Sequence, residues 1–203
     1  MQSIKPTLLP CPYFGSIEFF CNLISNECVI EVNDYFVKQS LRTRCNIYGA
    51  NGLLTLTVPK SRKNSSKTLF KDIKINYDHQ WQKEHWESLT SAYRSSPFFE
   101  YYEHELQSLF QKKYTFLKDL NLEMMTFVCS KIGISTEFNL SESYINNLDY
   151  VDKRMYNFDK IELPRYIQVF ENKFGFISNL SILDLLFNEG NNLSLIHISE
   201  PTR

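Results

Sequence analysis

The stretch from residue 7 to residue 32, TLLPCPYFGSIEFFCNLISNECVIEV, decides the fold class. It opens with a short apolar segment, Thr7 to Leu9, that we predict to be a first strand. Residues 13–24 then repeat apolar side chains at helical spacing, and the β-branched run at 28–32 is typical of a buried strand. A strand, a helix and a second strand in this order predict a β-α-β unit in a parallel sheet.

The segment that follows predicts a β-hairpin. Two apolar runs, at 45–48 and 53–58, flank the sequence Gly-Ala-Asn-Gly, in which an Asn-Gly pair favours a tight reversal. A basic, serine-rich stretch at 60–67 is then expected to be a mobile loop. The sequence FKDIKI at 70–75 predicts a further strand directly after it.

The middle of the chain is predicted to be helical. From Trp81 onward, aromatic and apolar residues recur at helical spacing until Pro97 breaks the pattern. Two more helices are predicted at about 98–111 and 113–132, and Gly133 is a typical C-cap for the second of them.

The last third predicts smaller elements. Short strands are expected at 136–140 and 165–170, and a helix is expected at 181–188 with Asn179 or Ser181 as its N-cap. The region 141–163 between them is polar and irregular. The prediction is therefore a single α/β domain with a mixed β-sheet, made of a β-α-β opening plus a hairpin, and a helical middle section.

The domain is expected to span residues 1–192. The final stretch LSLIHISEPTR, at 193–203, has no periodicity and follows a helix end at Gly190, so we expect a non-native or unstructured tail. His197 lies in this tail and receives no functional role.

Composition excludes several classes of protein. The chain has 22 lysines and arginines against 23 aspartates and glutamates, a net charge of −1, which argues against a nucleic-acid binder because such proteins carry a basic excess. No apolar run reaches the roughly 20 residues needed for a transmembrane helix, and the N-terminus has no signal-peptide pattern. We therefore expect a cytoplasmic protein.

The five cysteines are expected to be reduced thiols. Their number is odd, and they show no CxxC pair or other zinc-ligand spacing, so no metal site is predicted. Cys11 and Cys45 are the better candidates for a Cys–His nucleophile, although no thiol-enzyme motif surrounds either one. The sequence contains no glycine-rich phosphate loop, and it leaves any cofactor unidentified.

A basic cluster at Lys38, Arg42 and Arg44, with Gln39 beside it, is the first candidate site. In an extended strand these even-numbered cations would share one face, where they could bind a phosphate or a carboxylate. The alternative is a solvated edge strand whose charges discourage aggregation.

Trp81 and His85 form the second candidate, one helical turn apart, with Tyr93 two turns further on. A histidine beside aromatic rings can act as a general acid or base near neutral pH. It can equally be a core histidine with one hydrogen-bonded ring nitrogen.

The third candidate is the polar sequence around the last helix. Asn179, Ser181 and Asp184 could line the rim of a pocket. The alternative is a tight turn followed by a capped helix that docks on the core.

Nine motifs occur together in a recognisable order. They are PYF at 12–14, FVKQSLRTRCNI at 36–47, LLTLTVP at 53–59, DIKI at 72–75, WQKEH at 81–85, SAYRSSPFFEYYE at 91–103, FLKDLN at 116–121, YIQVF at 166–170 and GFISNLSILDLLFNEG at 175–190. Over about residues 8–190 the chain therefore resembles the WbqC-like proteins of bacterial surface-polysaccharide gene clusters. It departs from the family pattern between Asp152 and Leu163.

The resemblance implies a role in the biosynthesis of a glycan precursor of the O-antigen type. The implied activity is a transferase, with acyl or aminoacyl transfer to a nucleotide-linked or lipid-linked amino sugar. The implied catalytic residue is His85. The implied substrate-binding residues are Tyr13, Lys38, Gln39, Arg42, Arg44, Trp81, Tyr93, Gln168, Asn179, Ser181 and Asp184.

Two alternatives stay open beside the transferase. One is a non-catalytic binding or scaffold protein in glycan assembly, which predicts an exposed apolar patch and no enclosed polar pocket. The other is a nucleotidyltransferase-like enzyme that uses ATP, because the opening strand-helix-strand order loosely resembles such folds. The sequence leaves the oligomeric state and the identity of the sugar open.

Overall fold

The predicted β-α-β unit is present. Strand β1 (Thr7–Pro10) leads into helix α1 (Ile17–Ser25), and strand β2 (Cys28–Glu31) returns parallel to β1, with Thr7 opposite Cys28. Ser16 caps α1, since its side chain accepts a hydrogen bond from the Phe19 N–H. The computed structural model describes residues 5–61, 67–146, 149–155 and 163–191.

Two further strands pair antiparallel as the predicted hairpin. Strand β3 (Arg44–Gly49) pairs with strand β4 (Gly52–Thr57) from Arg44 opposite Thr57 to Gly49 opposite Gly52. Ala50 and Asn51 form the connecting turn, and Gly52 has a φ of 98°. A glycine at that position lets the chain turn without the steric cost that a side chain would add.

Three helices follow as predicted. They are α2 (Trp81–Tyr93), α3 (Phe99–Gln111) and α4 (Leu117–Ile132). Helix α4 ends at Gly133, which adopts the left-handed conformation with a φ of 74°. It begins at Leu117 and not at 113, because Tyr114 packs into the core in a short extended connection before the helix.

The chain then returns to the sheet. Strand β5 (Val151–Asp152) pairs parallel to β1 on the side opposite β2, so the sheet has the order β2-β1-β5. The region was predicted to be irregular. Two residues are too few for a periodic signal, and the pairing with Thr7 and Leu8 creates the strand.

The C-terminal helix completes the core. A short helix α5 (Glu171–Phe174) precedes α6 (Ile182–Glu189), whose N-cap is Ser181, as predicted. Helix α6 is buried along nearly its whole length and packs against α1, α3, α4 and β3. The fold is therefore the expected α/β domain, with a three-stranded parallel sheet, a hairpin and a helical middle section.

Three strand predictions were wrong. Residues 70–75 begin with a 3-10 helix (Phe70–Asp72) and continue in isolated bridges of Lys74 and Ile75. Leu140 makes a single bridge to Ile30, and residues 165–170 form no ladder. In each case the apolar pattern reflects contact with the core, which a short irregular segment can also provide.

The predicted loop at 60–67 lies mostly outside the described residues, and the tail at 193–203 lies wholly outside them. Among the described helices, none is long and apolar enough to cross a membrane.

Candidate functional site

A cavity of about 420 Å³ opens beside the carboxyl end of β1. Its lining includes Pro10 of β1, Arg44 of β3 and Arg154, which follows β5. Because β1 leads to β2 on one side and pairs with β5 on the other, this end of the sheet is a switch point of the topology. Ligands of open α/β sheets bind in the crevice at such a point. We call this the basic cavity.

The four residues of the first candidate cluster all line the basic cavity. They are Lys38, Gln39, Arg42 and Arg44. The predicted extended strand is wrong, however, because residues 38–43 form consecutive turns and Gln39 has a φ of 58°. The turns bring these side chains together, and not the alternation of an extended strand that the sequence predicted.

Arg42 forms the floor of this cluster and is 0% exposed. Its Nη2 donates to the carboxylate of Asp34 in a short ion pair, and its Nη1 donates to the backbone carbonyl of Arg154 at 3.5 Å. Burial raises the pKa of Asp34 to about 6, although Arg42 opposes that shift. Burial also lowers the pKa of Arg42. The pair is therefore costly to bury and depends on both partners.

Two guanidinium nitrogens at this cavity lack acceptors. The Nε atoms of Arg42 and Arg44 are both buried and have no hydrogen-bond partner within the described part of the chain. A buried donor without an acceptor costs free energy, so such a group calls for a specific explanation. Both residues line the cavity, so a shift of either side chain would let a bound anion accept from its Nε.

Arg154 also lines the cavity and was missing from the sequence-based site. Its Nε and Nη2 donate to the two carboxylate oxygens of Asp152 at 3.0 and 2.7 Å, and its Nη1 lies 3.5 Å from Glu31. The hydrogen bonding that Arg154 donates to Asp152 is the main cause of its raised pKa. The Asp-x-Arg spacing was visible in the sequence, but only the pairing of β5 places it at the cavity.

Asn121 of α4 supports the cavity from behind. Its side-chain amide, which is fully buried, donates to the carbonyls of Cys11 at 2.9 Å and Arg42 at 2.8 Å. One side chain thus ties the loop after β1 to the turn that carries Arg42. No separate feature of the sequence indicates this role, beyond the motif FLKDLN that contains Asn121.

His85 lies in the core and outside the lining of the basic cavity. Its Nδ1 is 2.9 Å from the hydroxyl of Tyr13, and its ring packs in a T-shaped arrangement with that of Trp81, at a centroid distance of 5.1 Å. Burial lowers the pKa of His85 to about 4, against the opposing effect of a hydrogen bond to the backbone of Thr57. The histidine is therefore neutral at pH 7, and its catalytic role stays a prediction.

Tyr93, Gln168 and Asp184 meet in a buried polar cluster away from the described cavities. The two oxygens of Asp184 accept hydrogen bonds from Tyr93 at 2.8 Å, Tyr166 at 2.5 Å and Gln168 at 3.0 Å. Burial raises the pKa of Asp184, and the three hydrogen bonds oppose this. The cluster joins α2 to α6.

Asn179 and Ser181 have structural contacts. Asn179 Oδ1 accepts from the Glu18 N–H at 2.9 Å, and Ser181 Oγ donates to the Phe14 carbonyl at 2.8 Å while it caps α6. Trp81 lines a different cavity, at the start of α2. The predicted substrate-binding set therefore separates into four cavity residues and several residues with partners in the core.

The two cysteine candidates are buried. Burial raises the pKa of Cys11 to about 12 and raises that of Cys45 further above its ordinary value. Both thiols are protonated at neutral pH, which disfavours either one as a nucleophile. Among the described residues, no group of three or more His, Cys, Asp or Glu side chains could hold a metal ion.

Comparison with known proteins agrees with the sequence motifs. Residues 6–157 match the model of the WbqC-like protein family, and the chain belongs to this family. The chain is 27% identical over 212 residues to the uncharacterized protein Rv1507c of Mycobacterium tuberculosis (strain ATCC 25618 / H37Rv), with 88% of each chain covered. No solved structure matches the chain.

Proposed function

We propose that the chain binds the phosphates of a nucleotide-linked or lipid-linked amino sugar in the basic cavity, as a transferase of glycan precursor biosynthesis. The single observation that carries the binding step is the pair of buried, unpartnered Nε atoms on Arg42 and Arg44. Both residues line the cavity, and Arg presents its N–H groups to phosphate oxygens in a matched planar geometry.

The charge of the lining supports an anionic ligand. Four basic side chains line the cavity, and no acidic side chain of the described residues does. Arg42 and Arg154 already have carboxylate partners, whereas Lys38 and Arg44 have no ion-pair partner in the described part of the chain. These last two are therefore the cations that an incoming phosphate would neutralise.

Size and neutral polar groups support a sugar. A volume of about 420 Å³ falls within the range of small-molecule pockets. Gln39, Ser40 and Asn46 add polar side chains to the lining. Asn46 uses its Oδ1 to accept from Thr55 at 2.7 Å, which leaves its NH₂ group to donate to a hydroxyl or an N-acetyl carbonyl.

The transfer step extends the family resemblance. Transfer of an acyl or aminoacyl group from a thioester or ester donor to an amino sugar forms an amide bond, breaks the acyl–sulfur or acyl–oxygen bond of the donor and releases its thiol or alcohol. The sugar nitrogen loses a proton in this step, so a base must accept that proton and pass it to the leaving group. His85 is neutral and could accept a proton, but Tyr13 and Trp81 cover its ring. A pure scaffold would have no need of the basic cavity, so the cavity favours a ligand-binding function, which either an enzyme or a non-catalytic binding protein would have.

The binding step is tested by calorimetry and thermal shift with UDP-N-acetylglucosamine, inorganic pyrophosphate and free N-acetylglucosamine. A farnesyl-diphosphate-linked N-acetylglucosamine distinguishes the lipid-linked from the nucleotide-linked sugar. We expect a diphosphate sugar to bind and the free sugar to bind at least tenfold more weakly, since roughly 1.4 kcal/mol of phosphate interaction corresponds to that factor. A ligand at 100 times its Kd would stabilise the fold by about 2.7 kcal/mol.

Matched variants locate the site. Arg44→Gln and Lys38→Gln should each weaken binding of the diphosphate sugar. Arg94 is exposed and lies outside the cavity lining, so Arg94→Gln is the control and should leave binding unchanged. Equal binding of the free sugar, or identical behaviour of Arg44→Gln and Arg94→Gln, would contradict the proposal.

A further inference from the structure

A second cavity, of about 350 Å³, lies between the start of α2 and helix α3. Four aromatic side chains line it, namely Tyr77, Trp81, Trp86 and Phe110. The ring centroids of Tyr77 and Trp81 are 6.0 Å apart, as are those of Trp86 and Phe110. We call it the aromatic cavity. Its lining shares no residue with that of the basic cavity.

The N-terminus of α2 forms one end of this cavity. Helix α2 has 13 residues, and the side chain of its N-cap residue, Gln80, makes no capping hydrogen bond. The backbone N–H groups of residues 81–83 have no acceptor among the described residues. Free N–H groups and the helix dipole favour an anion at such an end.

Trp81 supplies an independent sign of a missing partner. Its side chain lines the cavity and is only 2% exposed, yet its indole Nε1 has no acceptor in the described part of the chain. An indole nitrogen can only donate, so the missing partner must be an acceptor.

The charges around the cavity have one sign. Lys83 and Lys113 belong to its lining, and no aspartate or glutamate of the described residues does. The ammonium group of Lys113 lies 5.7 Å from the centre of the Tyr77 ring, over one wall of the cavity. The carboxylate paired with Lys83 is that of Glu87, at 3.8 Å and largely exposed, which is a weak interaction in water.

We propose that the aromatic cavity is a second binding site, for an aromatic anion whose ring packs among Trp81, Trp86 and Phe110. Its carboxylate or phosphate accepts hydrogen bonds from the first turn of α2 and pairs with Lys113. Trp and Tyr side chains can stack on the flat ring of any nucleobase or aryl group. The site therefore selects a class of ligand and not one compound.

The test uses the fluorescence of tryptophan, because both tryptophans of the chain line this cavity. The full-length protein is titrated with adenosine monophosphate as the aromatic anion. Three other compounds are titrated for comparison. Adenosine has the aromatic ring without the anion, inorganic phosphate is the anion without the ring, and octanoate is an anion that carries an aliphatic chain. We expect saturable quenching by adenosine monophosphate, with each of the other three binding at least tenfold more weakly.

Variants assign the contacts. Lys113→Gln removes an exposed charge and should weaken the monophosphate about threefold to tenfold, with no loss of thermal stability. Arg94→Gln and the basic-cavity variant Arg44→Gln should leave the quenching curve unchanged, so this result does not depend on the proposed function. No saturable quenching, equal binding of adenosine or octanoate, or an unchanged curve in Lys113→Gln would overturn the proposal.

Discussion

Arg42 and Asp34 form an ion pair in which the arginine has no exposed surface and the second carboxylate oxygen of Asp34 has no partner among the described residues. Asp34 follows β2 and Arg42 precedes β3, so the pair joins the parallel sheet to the hairpin. It also holds the guanidinium at the floor of the basic cavity. The same contact therefore serves both the fold and the candidate site.

Removing one partner of this pair should destabilise the protein strongly. Arg42→Met leaves the buried carboxylate of Asp34 without its cation, which typically costs about 3–5 kcal/mol of the free energy of unfolding. Urea denaturation at pH 7 measures the loss. The double variant Arg42→Met with Asp34→Leu removes both charges and should recover most of the stability. A single variant as stable as the parent would show that the pair is dispensable.

His85 should make the fold sensitive to acid. Its pKa is lowered to about 4 from an ordinary value of 6.5, so the unfolded chain binds this proton more readily between those pH values. Stability linked to His85 is complete above pH 6.5 and is lost as the pH falls through this window. The shift predicts a loss of about 2–3 kcal/mol between pH 7 and pH 4.5.

The matched control is His85→Gln, which can keep hydrogen bonds to Tyr13 and to the backbone of Thr57. Other titrating groups, including Asp34, act equally in both proteins and cancel in the comparison. Denaturant unfolding at the two pH values should therefore show a smaller acid-induced loss in the variant. The histidine would not be the acid-sensitive group if both proteins lost the same stability.

Asp184 should be required for stability, because three donors converge on its carboxylate. Asp184→Ala leaves the hydroxyls of Tyr93 and Tyr166 and the amide of Gln168 without this acceptor, at a cost of about 4 kcal/mol or more. Asp184→Asn keeps the shape and one acceptor and should cost less. Thermal unfolding of both variants shows which substitution lowers the stability more.

The same pair tests the ligand role that the family resemblance assigns to Tyr93, Gln168 and Asp184. If Asp184→Asn weakened the binding of UDP-N-acetylglucosamine while the stability stayed unchanged, the cluster would contact the ligand. A loss of stability with unchanged affinity per folded molecule would make the cluster structural.

The local elements could be predicted from short stretches of the sequence. Helical spacing from Trp81, the stop signal at Gly133 and the cap at Ser181 are properties of a few neighbouring residues, and all three were confirmed. The β-α-β opening and the hairpin were also readable, because each is encoded in a short window of apolar pattern and turn residues. The cluster of basic residues from Lys38 to Arg44 predicted a candidate site, and the family motifs then supported it.

How these residues come together depends on contacts between distant parts of the chain. Strand β5 exists through its pairing with β1, more than 140 residues earlier in the chain, and no local pattern encodes such a contact. The pairing brings Arg154 to the cavity, while the turns at 38–43 and the ion pair to Asp34 bring Arg42 there. Burial then separates residues of similar type: it leaves His85 neutral in the core and leaves two arginine Nε atoms without acceptors beside a cavity, because desolvation depends on every surrounding element.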